Sequence, residues 1–151
     1  MDYAKIKLSA HGDVAIITLS DPSTMNAAGL DAVEELSHAF TAASEGPEAR
    51  RAIILTGEGR GFCSGANLTS IGGSSPGTPP RTAGDSLVSH YNPLIRLIAN
   101  LPIPLVTAVN GAAAGIGCSM ALLGDMIVAG ESAYFLQAFR RIGLIPDGGS
   151  T

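Results

Sequence analysis

Ile53-Ile54-Leu55-Thr56-Gly57-Glu58-Gly59-Arg60-Gly61-Phe62-Cys63-Ser64-Gly65-Ala66-Asn67-Leu68 carries the plainest structural signal in the chain. A second stretch has the same order of features: Leu105-Val106-Thr107-Ala108-Val109, then Asn110-Gly111-Ala112-Ala113-Ala114-Gly115-Ile116-Gly117-Cys118-Ser119-Met120-Ala121. Each reads as a buried strand, then a tight turn, then a helix start. Glycines there let the backbone approach a ligand closely, and a helix start leaves N–H groups without intrahelical partners. Two such donors aimed at one oxygen make an oxyanion hole.

The flanking sequence alternates strand and helix signals. Ile6–Leu8 and Val14–Leu19 are strand-like runs around Ala10-His11-Gly12-Asp13, a hairpin signal. Leu30, Val33, Leu36, Phe40 and Ala43 recur at helical spacing, and Gly46-Pro47 stops that helix. Leu87–Leu101 is helical in pattern, with Pro93 expected at a break or in the first turn of a second piece. Met126–Ala129 and Tyr134-Phe135 read as further strands. No internal sequence repeat is visible. Alternating elements of this kind predict an α/β fold with a largely parallel sheet and right-handed crossovers. Residues 72–84 are rich in Gly, Ser and Pro and read as a mobile loop.

A chain of 151 residues fits one domain, 1–151. Nine basic against thirteen acidic residues give a net charge of −4, which argues against a nucleic-acid surface. No apolar run reaches the length of a membrane span, so no membrane partner is expected. Two cysteines without a CxxC pair, and no histidine at ligand spacing, predict no metal site and a reduced, cytoplasmic setting. Gly115-Ile116-Gly117 lacks the third glycine of a dinucleotide fingerprint. Gly117-Cys118-Ser119-Met120-Ala121 ends in alanine where a nucleophile elbow has glycine. His11, His38 and His90 read as surface or supporting side chains, and Cys63 and Cys118 as small packing residues.

Among the carboxylates Asp147 stands apart. It follows Ile145-Pro146 and precedes Gly148-Gly149 in an otherwise apolar stretch. An apolar pocket disfavours the charged form and raises a carboxylate's pKa toward values useful for proton transfer. Pro-Asp-Gly is also a common turn, and on pattern alone both readings stand.

The glycine-marked segments resemble the crotonase superfamily, the enoyl-CoA hydratases and isomerases. The first matches that family's Gly-x-Gly-x-x-Phe-x-x-Gly-Ala-Asp-Leu pattern, with Asn67 in place of the acid. The second matches its Asn-Gly-x-x-x-Gly-x-Gly pattern. Met25-Asn26-Ala27 and Arg141-Ile142-Gly143-Leu144-Ile145-Pro146-Asp147-Gly148-Gly149 match two further marks, in family order. The resemblance implies a crotonase-like spiral of ββα turns. Family members run well past the equivalent of Thr151, so it also implies that a C-terminal helical region, used to trimerise and to close over the ligand, is missing here.

The resemblance assigns the oxyanion donors to the N–H groups of Ala66 and Ile116 and the catalytic acid to Asp147. It implies an acyl-CoA substrate, with coenzyme A as part of the substrate and no separate cofactor. Met25 and Ala27 would border the adenine and pantetheine. Ser64, Gly65, Ala66, Asn67 and Leu68, with Gly115, Ile116 and Pro146, would line the thioester end, and Arg60 is a candidate for the phosphates. Hydratases of the family use two glutamates, and by local alignment those positions are Ser119 and Phe139. One carboxylate suits double-bond migration better than addition of water. The implied activity is therefore an enoyl-CoA isomerase, related to the ring-epoxide isomerase of phenylacetate breakdown. The alternatives are an enoyl-CoA hydratase with an altered site and a non-catalytic acyl-CoA-binding protein of the same fold. A homotrimer or dimer of trimers is the implied assembly.

Overall fold

The computed structural model describes residues 2–47, 49–67 and 82–149. Strands β1 (Ile6–His11) and β2 (Val14–Leu19) form the expected antiparallel hairpin, with His11 opposite Val14 and Ile6 opposite Leu19. In β2 the alternation is clean: Ala15, Ile17 and Leu19 point into the core. A 3-10 turn (Pro22–Thr24) leads to Met25 and Asn26, both at positive φ, and then to helix α1 (Leu30–Ser44).

Of the five residues its spacing singled out, helix α1 buries Val33, Leu36, Phe40 and Ala43, together with Ala32 and Ala39, and Leu30 packs partly buried against the same core. Its N-cap, Gly29, supplies no side-chain bond. A good cap is worth about 1 kcal/mol, whereas burying one Leu or Phe side chain is worth about 1.5–3 kcal/mol. Packing, not capping, therefore holds this helix.

From here the chain repeats one unit three times. A strand of the main sheet comes first, a three-residue strand of a second sheet next, and a helical segment after it. The first turn is β3 (Ala52–Gly57) and β4 (Gly61–Cys63), followed by α2 (Ala83–Ser86), a π-helical turn (Leu87–Tyr91) and α3 (Asn92–Ala99). The second is β5 (Leu105–Val109), β6 (Ala112–Ala114) and α4 (Ile116–Leu122). The third is β7 (Met126–Ala129), β8 (Tyr134–Leu136) and a 3-10 turn (Phe139–Ile142). Successive turns stack in parallel, giving sheet orders β1-β2-β3-β5-β7 and β4-β6-β8. The core lies between the main sheet and α1 and α3, with Ile17, Leu19, Leu36, Phe40, Ile53, Leu55, Leu94 and Leu105 all buried. Strands β7 and β8 are the last in their sheets and expose Met126, Val128 and Tyr134.

Two features differ from the sequence reading. The tight turns hold short strands, β4 and β6, which are too brief to show a period. Pro93 itself falls in the first turn of a second helical piece, α3, one of its two expected placements. Asn92 N–H reaches back to Leu87 C=O, so a π turn takes up the irregularity just ahead of a residue with no N–H to give. The expected mobile loop lies outside the described residues over 72–81. Its last part, 82–84, already belongs to α2, where Thr82 Oγ1 accepts from Asp85 N–H and the Asp85 carboxylate accepts from Thr82 N–H in a capping box. Leu68, and the helix start expected after the first glycine loop, also lie outside the described residues.

Two asparagine side chains fix the first glycine loop. Asn26, 1% exposed, donates through Nδ2 to the carbonyls of Glu58 (3.0 Å), Gly61 (2.9 Å) and Phe62 (3.3 Å), while its Oδ1 accepts from Asp21 N–H (2.9 Å). Asn110 donates to Gly59 C=O (2.9 Å) and Gly61 C=O (3.2 Å), and accepts from Gly57 N–H (3.3 Å). Asn26→Ala should leave buried carbonyls without a donor, each such group costing about 1–3 kcal/mol. Asn26→Asp keeps the shape but turns an acceptor toward three carbonyls, so it should destabilise at pH 7 at least as much as alanine. Urea unfolding of both variants checks this, and an aspartate variant as stable as wild type overturns it.

Candidate active site

Both glycine loops end at one cavity. β3 and β5 are neighbours in the main sheet and β4 and β6 in the second, so the segments after β4 and β6 emerge side by side. Gly65 and Gly115 touch across this junction: a Cβ on Gly65 would lie 3.1 Å from Ala114 C=O, and one on Gly115 would lie 3.8 Å from Gly65 Cα. Both have positive φ, +109° and +52°, which a side chain would strain. The glycines thus turn the chain sharply and let the loops meet.

The cavity has a volume of about 320 Å³. One side is Ser64, Gly65 and Ala66 with Gly115 and Ile116. The opposite walls are Ala83, Gly84, Ser86, Leu87 and Tyr91 from the helical segment, and Ala138, Phe139, Leu144, Ile145 and Asp147 from the last part of the chain. Among the described residues neither Ala66 N–H nor Ile116 N–H has a hydrogen-bond acceptor. Their surroundings explain it. Ala66 pairs with Ala28 in an isolated parallel bridge, in which Ala28 N–H donates to Gly65 C=O (2.8 Å) and Asn67 N–H to Ala28 C=O (3.4 Å). The bridge uses the groups on either side of Ala66 N–H and leaves that donor over. Ile116 is the first residue of α4, where N–H groups have no intrahelical partner.

Asp147 is half-buried on the cavity wall, and burial pushes its pKa up from the ordinary carboxylate value. Helix α4 holds its turn in place. Ser119 Oγ donates to Asp147 C=O (3.2 Å), and a Cβ on Gly148 would lie 2.6 Å from Ile116 Cδ1 and 2.9 Å from Ser119 Cβ. The same short helix thus begins with one of the two N–H donors and carries the support for the carboxylate. Ser119 is buried behind that turn and Phe139 lines the cavity, so both positions aligned with the hydratase glutamates adjoin the site.

Of the residues expected at the site, Ser64, Gly65, Ala66, Gly115, Ile116 and Asp147 line the cavity. Met25 and Ala27 are half-buried and do not line it. Met25 C=O accepts Ser64 N–H (3.0 Å), and Thr24 C=O accepts Ser64 Oγ (2.9 Å). Asn67 and Pro146 flank lining residues without joining the wall, and Arg60 is exposed outside it. The wall from the helical segment was not singled out from sequence. It includes Tyr91, 5% exposed, whose hydroxyl donates to Ala28 C=O at 2.7 Å. Burial above all, then the charges of Cys63, Asp147 and Asp31, pushes this phenol up to about 12, so it stays a donor. The available signal was an aromatic four residues after Leu87 on the apolar side of a helix, which reads equally as core.

Residues 9–151 match the enoyl-CoA hydratase/isomerase family. The chain is 44% identical over its whole length to "Probable enoyl-CoA hydratase" of Rhodobacter capsulatus, covering 56% of that protein. It is 41% identical over 91% of its length to 1,2-epoxyphenylacetyl-CoA isomerase of Escherichia coli, covering 52% of it. The chain thus spans about half the length of these relatives. Among solved structures, an enoyl-CoA hydratase from Mycobacterium avium subsp. paratuberculosis superposes with a TM-score of 0.82 at 34% identity, over 98% of this chain and 53% of that one. Enoyl-CoA hydratase subunit I of Geobacillus kaustophilus gives 0.84 at 30% identity, over 99% and 55%. The stacked ββα turns are therefore the crotonase fold, and the chain belongs to the enoyl-CoA hydratase/isomerase family.

Proposed function

We propose that this chain carries the active site of an acyl-CoA double-bond isomerase. The observation that carries the reading is the cavity wall: among the described residues it holds one carboxylate, Asp147, beside two unengaged backbone donors. A 3-enoyl-CoA thioester seated with its carbonyl oxygen between Ala66 N–H and Ile116 N–H presents C2 to Asp147. The carboxylate takes a C2 proton, and the electron pair spreads to the thioester oxygen as a dienolate. The two N–H groups bind that oxygen more tightly as its charge grows, which is the differential binding that catalysis requires. The protonated Asp147 then returns the proton to C4, and the double bond ends between C2 and C3. No water has to be positioned or activated, and Ser119 and Phe139 provide no second acid for that task.

Relatives named as hydratases favour a hydratase reading, and the Escherichia coli relative favours isomerisation of a ring epoxide. All three readings share an acyl-CoA thioester, and the acid–base groups beside it decide among them. The proposed assembly is a homotrimer or dimer of trimers, supported by the likeness to the family and checked by sedimentation.

Asp147→Asn keeps the shape and both N–H donors but removes the base. Isomerisation of a 3-enoyl-CoA should fall by about 10⁴-fold, the top of the range for general acid–base catalysis. Acyl-CoA affinity, measured alongside, should change little. Turnover above roughly a tenth of wild type would reduce Asp147 to a turn residue.

The pH profile gives an independent check. The base works only when ionised, so the rate should rise with pH through the pKa of Asp147. Because burial raises that pKa, the acid limb of kcat/KM should lie above the ordinary aspartate value of about 3.9. A limb at or below that value contradicts the assignment.

Wild-type protein should hydrate crotonyl-CoA far more slowly than it isomerises a 3-enoyl-CoA. Ser119→Glu combined with Phe139→Glu should raise the hydration rate. Comparable wild-type rates for the two reactions would replace the isomerase reading with the hydratase one.

A further inference from the structure

We infer that Tyr91 is a positioning residue for the Ala66 N–H donor, acting through Ala28. The inference rests on the reading of Ala66 N–H as one of the two groups that bind the thioester oxygen. Gly65 C=O and Ala66 N–H belong to one planar peptide unit and point in opposite directions. Whatever fixes the carbonyl therefore aims the N–H. Here the carbonyl is fixed by Ala28 N–H at 2.8 Å, so Ala66 N–H points away from Ala28.

Ala28 must itself be held for this to work. It sits in a loop between Asn26 and α1, outside both sheets, and among the described residues its strand-like pairing is the single bridge to Ala66. Tyr91 supplies the anchor from the other side. Its hydroxyl donates to Ala28 C=O at 2.7 Å, much closer than the 3.4 Å of the Asn67 N–H that shares the same oxygen. Tyr91 closes the π turn Leu87–Tyr91. A π turn adds a residue to the helical circuit and shifts the direction of the side chains after it. The helical segment is thus locally irregular where it delivers this hydroxyl. Ala28 is fully buried and Tyr91 nearly so, hence water does not readily take over the bond.

The inference separates positioning from wall-building. Phenylalanine at 91 keeps the ring that lines the cavity and loses only the bond to Ala28. The probe is hexanoyl-CoA labelled with ¹³C at the thioester carbonyl, a saturated ligand that cannot isomerise. Bound to wild type, its carbonyl stretch should move to lower frequency, because two N–H donors polarise it. In Tyr91→Phe most of the added shift due to Ala66 should be lost. For a 3-enoyl-CoA, kcat should fall about tenfold, short of the 10²–10³ that outright loss of an oxyanion donor costs, with KM changing less than about threefold. If Tyr91→Phe does not fold, Tyr91→Met carries the same expectation, since methionine fills irregular space without a hydroxyl.

A variant that keeps the full spectral shift and full kcat, with only KM altered, makes Tyr91 a wall residue and overturns the inference alone. No shift in wild type removes the carbonyl-binding role of Ala66 itself, and with it both this inference and the function proposed above.

Discussion

The carbonyl of Gly61 is the point on which the site depends. It accepts from two side-chain amides, Asn26 Nδ2 at 2.9 Å and Asn110 Nδ2 at 3.2 Å. These come from different turns of the spiral: Asn26 precedes the first ββα unit, and Asn110 joins the two strands of the second. A main-sheet strand must hand the chain to the second sheet within a few residues, and such a change of direction leaves backbone groups out of both ladders. Those groups are costly when buried unless something bonds them. The asparagines do so, and in doing so set β4 against both the preceding loop and the following turn. Ser64, Gly65 and Ala66 emerge from β4, so the aim of Ala66 N–H is inherited from this junction.

A site built on backbone donors has a particular logic. The identities of residues 66 and 116 matter little for donation, whereas the conformations of their neighbours matter greatly. Gly65 and Gly115 adopt positive φ where the two loops meet, and neither tolerates a Cβ without strain. Precision comes from rigid supports behind the donors: the Ala28 bridge behind Ala66 and the start of α4 behind Ile116. Helix α4 adds economy, because Ser119 and Ile116 on it also seat the turn that carries Asp147. Carboxylate and donor thus share one support, and relative motion between them is limited to what that short helix allows.

Much of this was legible in the sequence because it is written in residue types with narrow conformational meaning. β-Branched runs marked the main strands, spacing marked α1, and the glycine loops marked the two segments that meet at the cavity. Asp147 stood out as a carboxylate in apolar surroundings, and the structure places it on the cavity wall. Other parts left no such mark. Strands β4 and β6 are three residues long, with compositions Gly-Phe-Cys and Ala-Ala-Ala, and a period cannot show in three residues. The threefold ββα unit is absent as a sequence repeat because equivalent places hold residues of different kind and size, Gly-Phe-Cys in β4, Ala-Ala-Ala in β6 and Tyr-Phe-Leu in β8. Met25 and Ala27, expected to border the adenine and pantetheine of a ligand, do not line this cavity, while Met25 C=O and Thr24 C=O bond Ser64, which does. Tyr91 was invisible because its role depends on a carbonyl 63 residues away in sequence.

The apolar wall makes these parts work as one device. Leu87, Tyr91, Phe139, Leu144 and Ile145 surround the carboxylate and the donor loops. Removing water from Asp147 raises its pKa and makes it a better match for a carbon acid. In the proposed reaction, removing water around the thioester oxygen would strengthen each N–H contact, since the charge there would be less screened. Both effects follow from the same apolar lining. A more polar wall would lower the pKa of Asp147 and, under the proposed mechanism, weaken the enolate contacts as well. One variable, the polarity of the wall, would then set proton affinity at carbon and charge stabilisation at oxygen together.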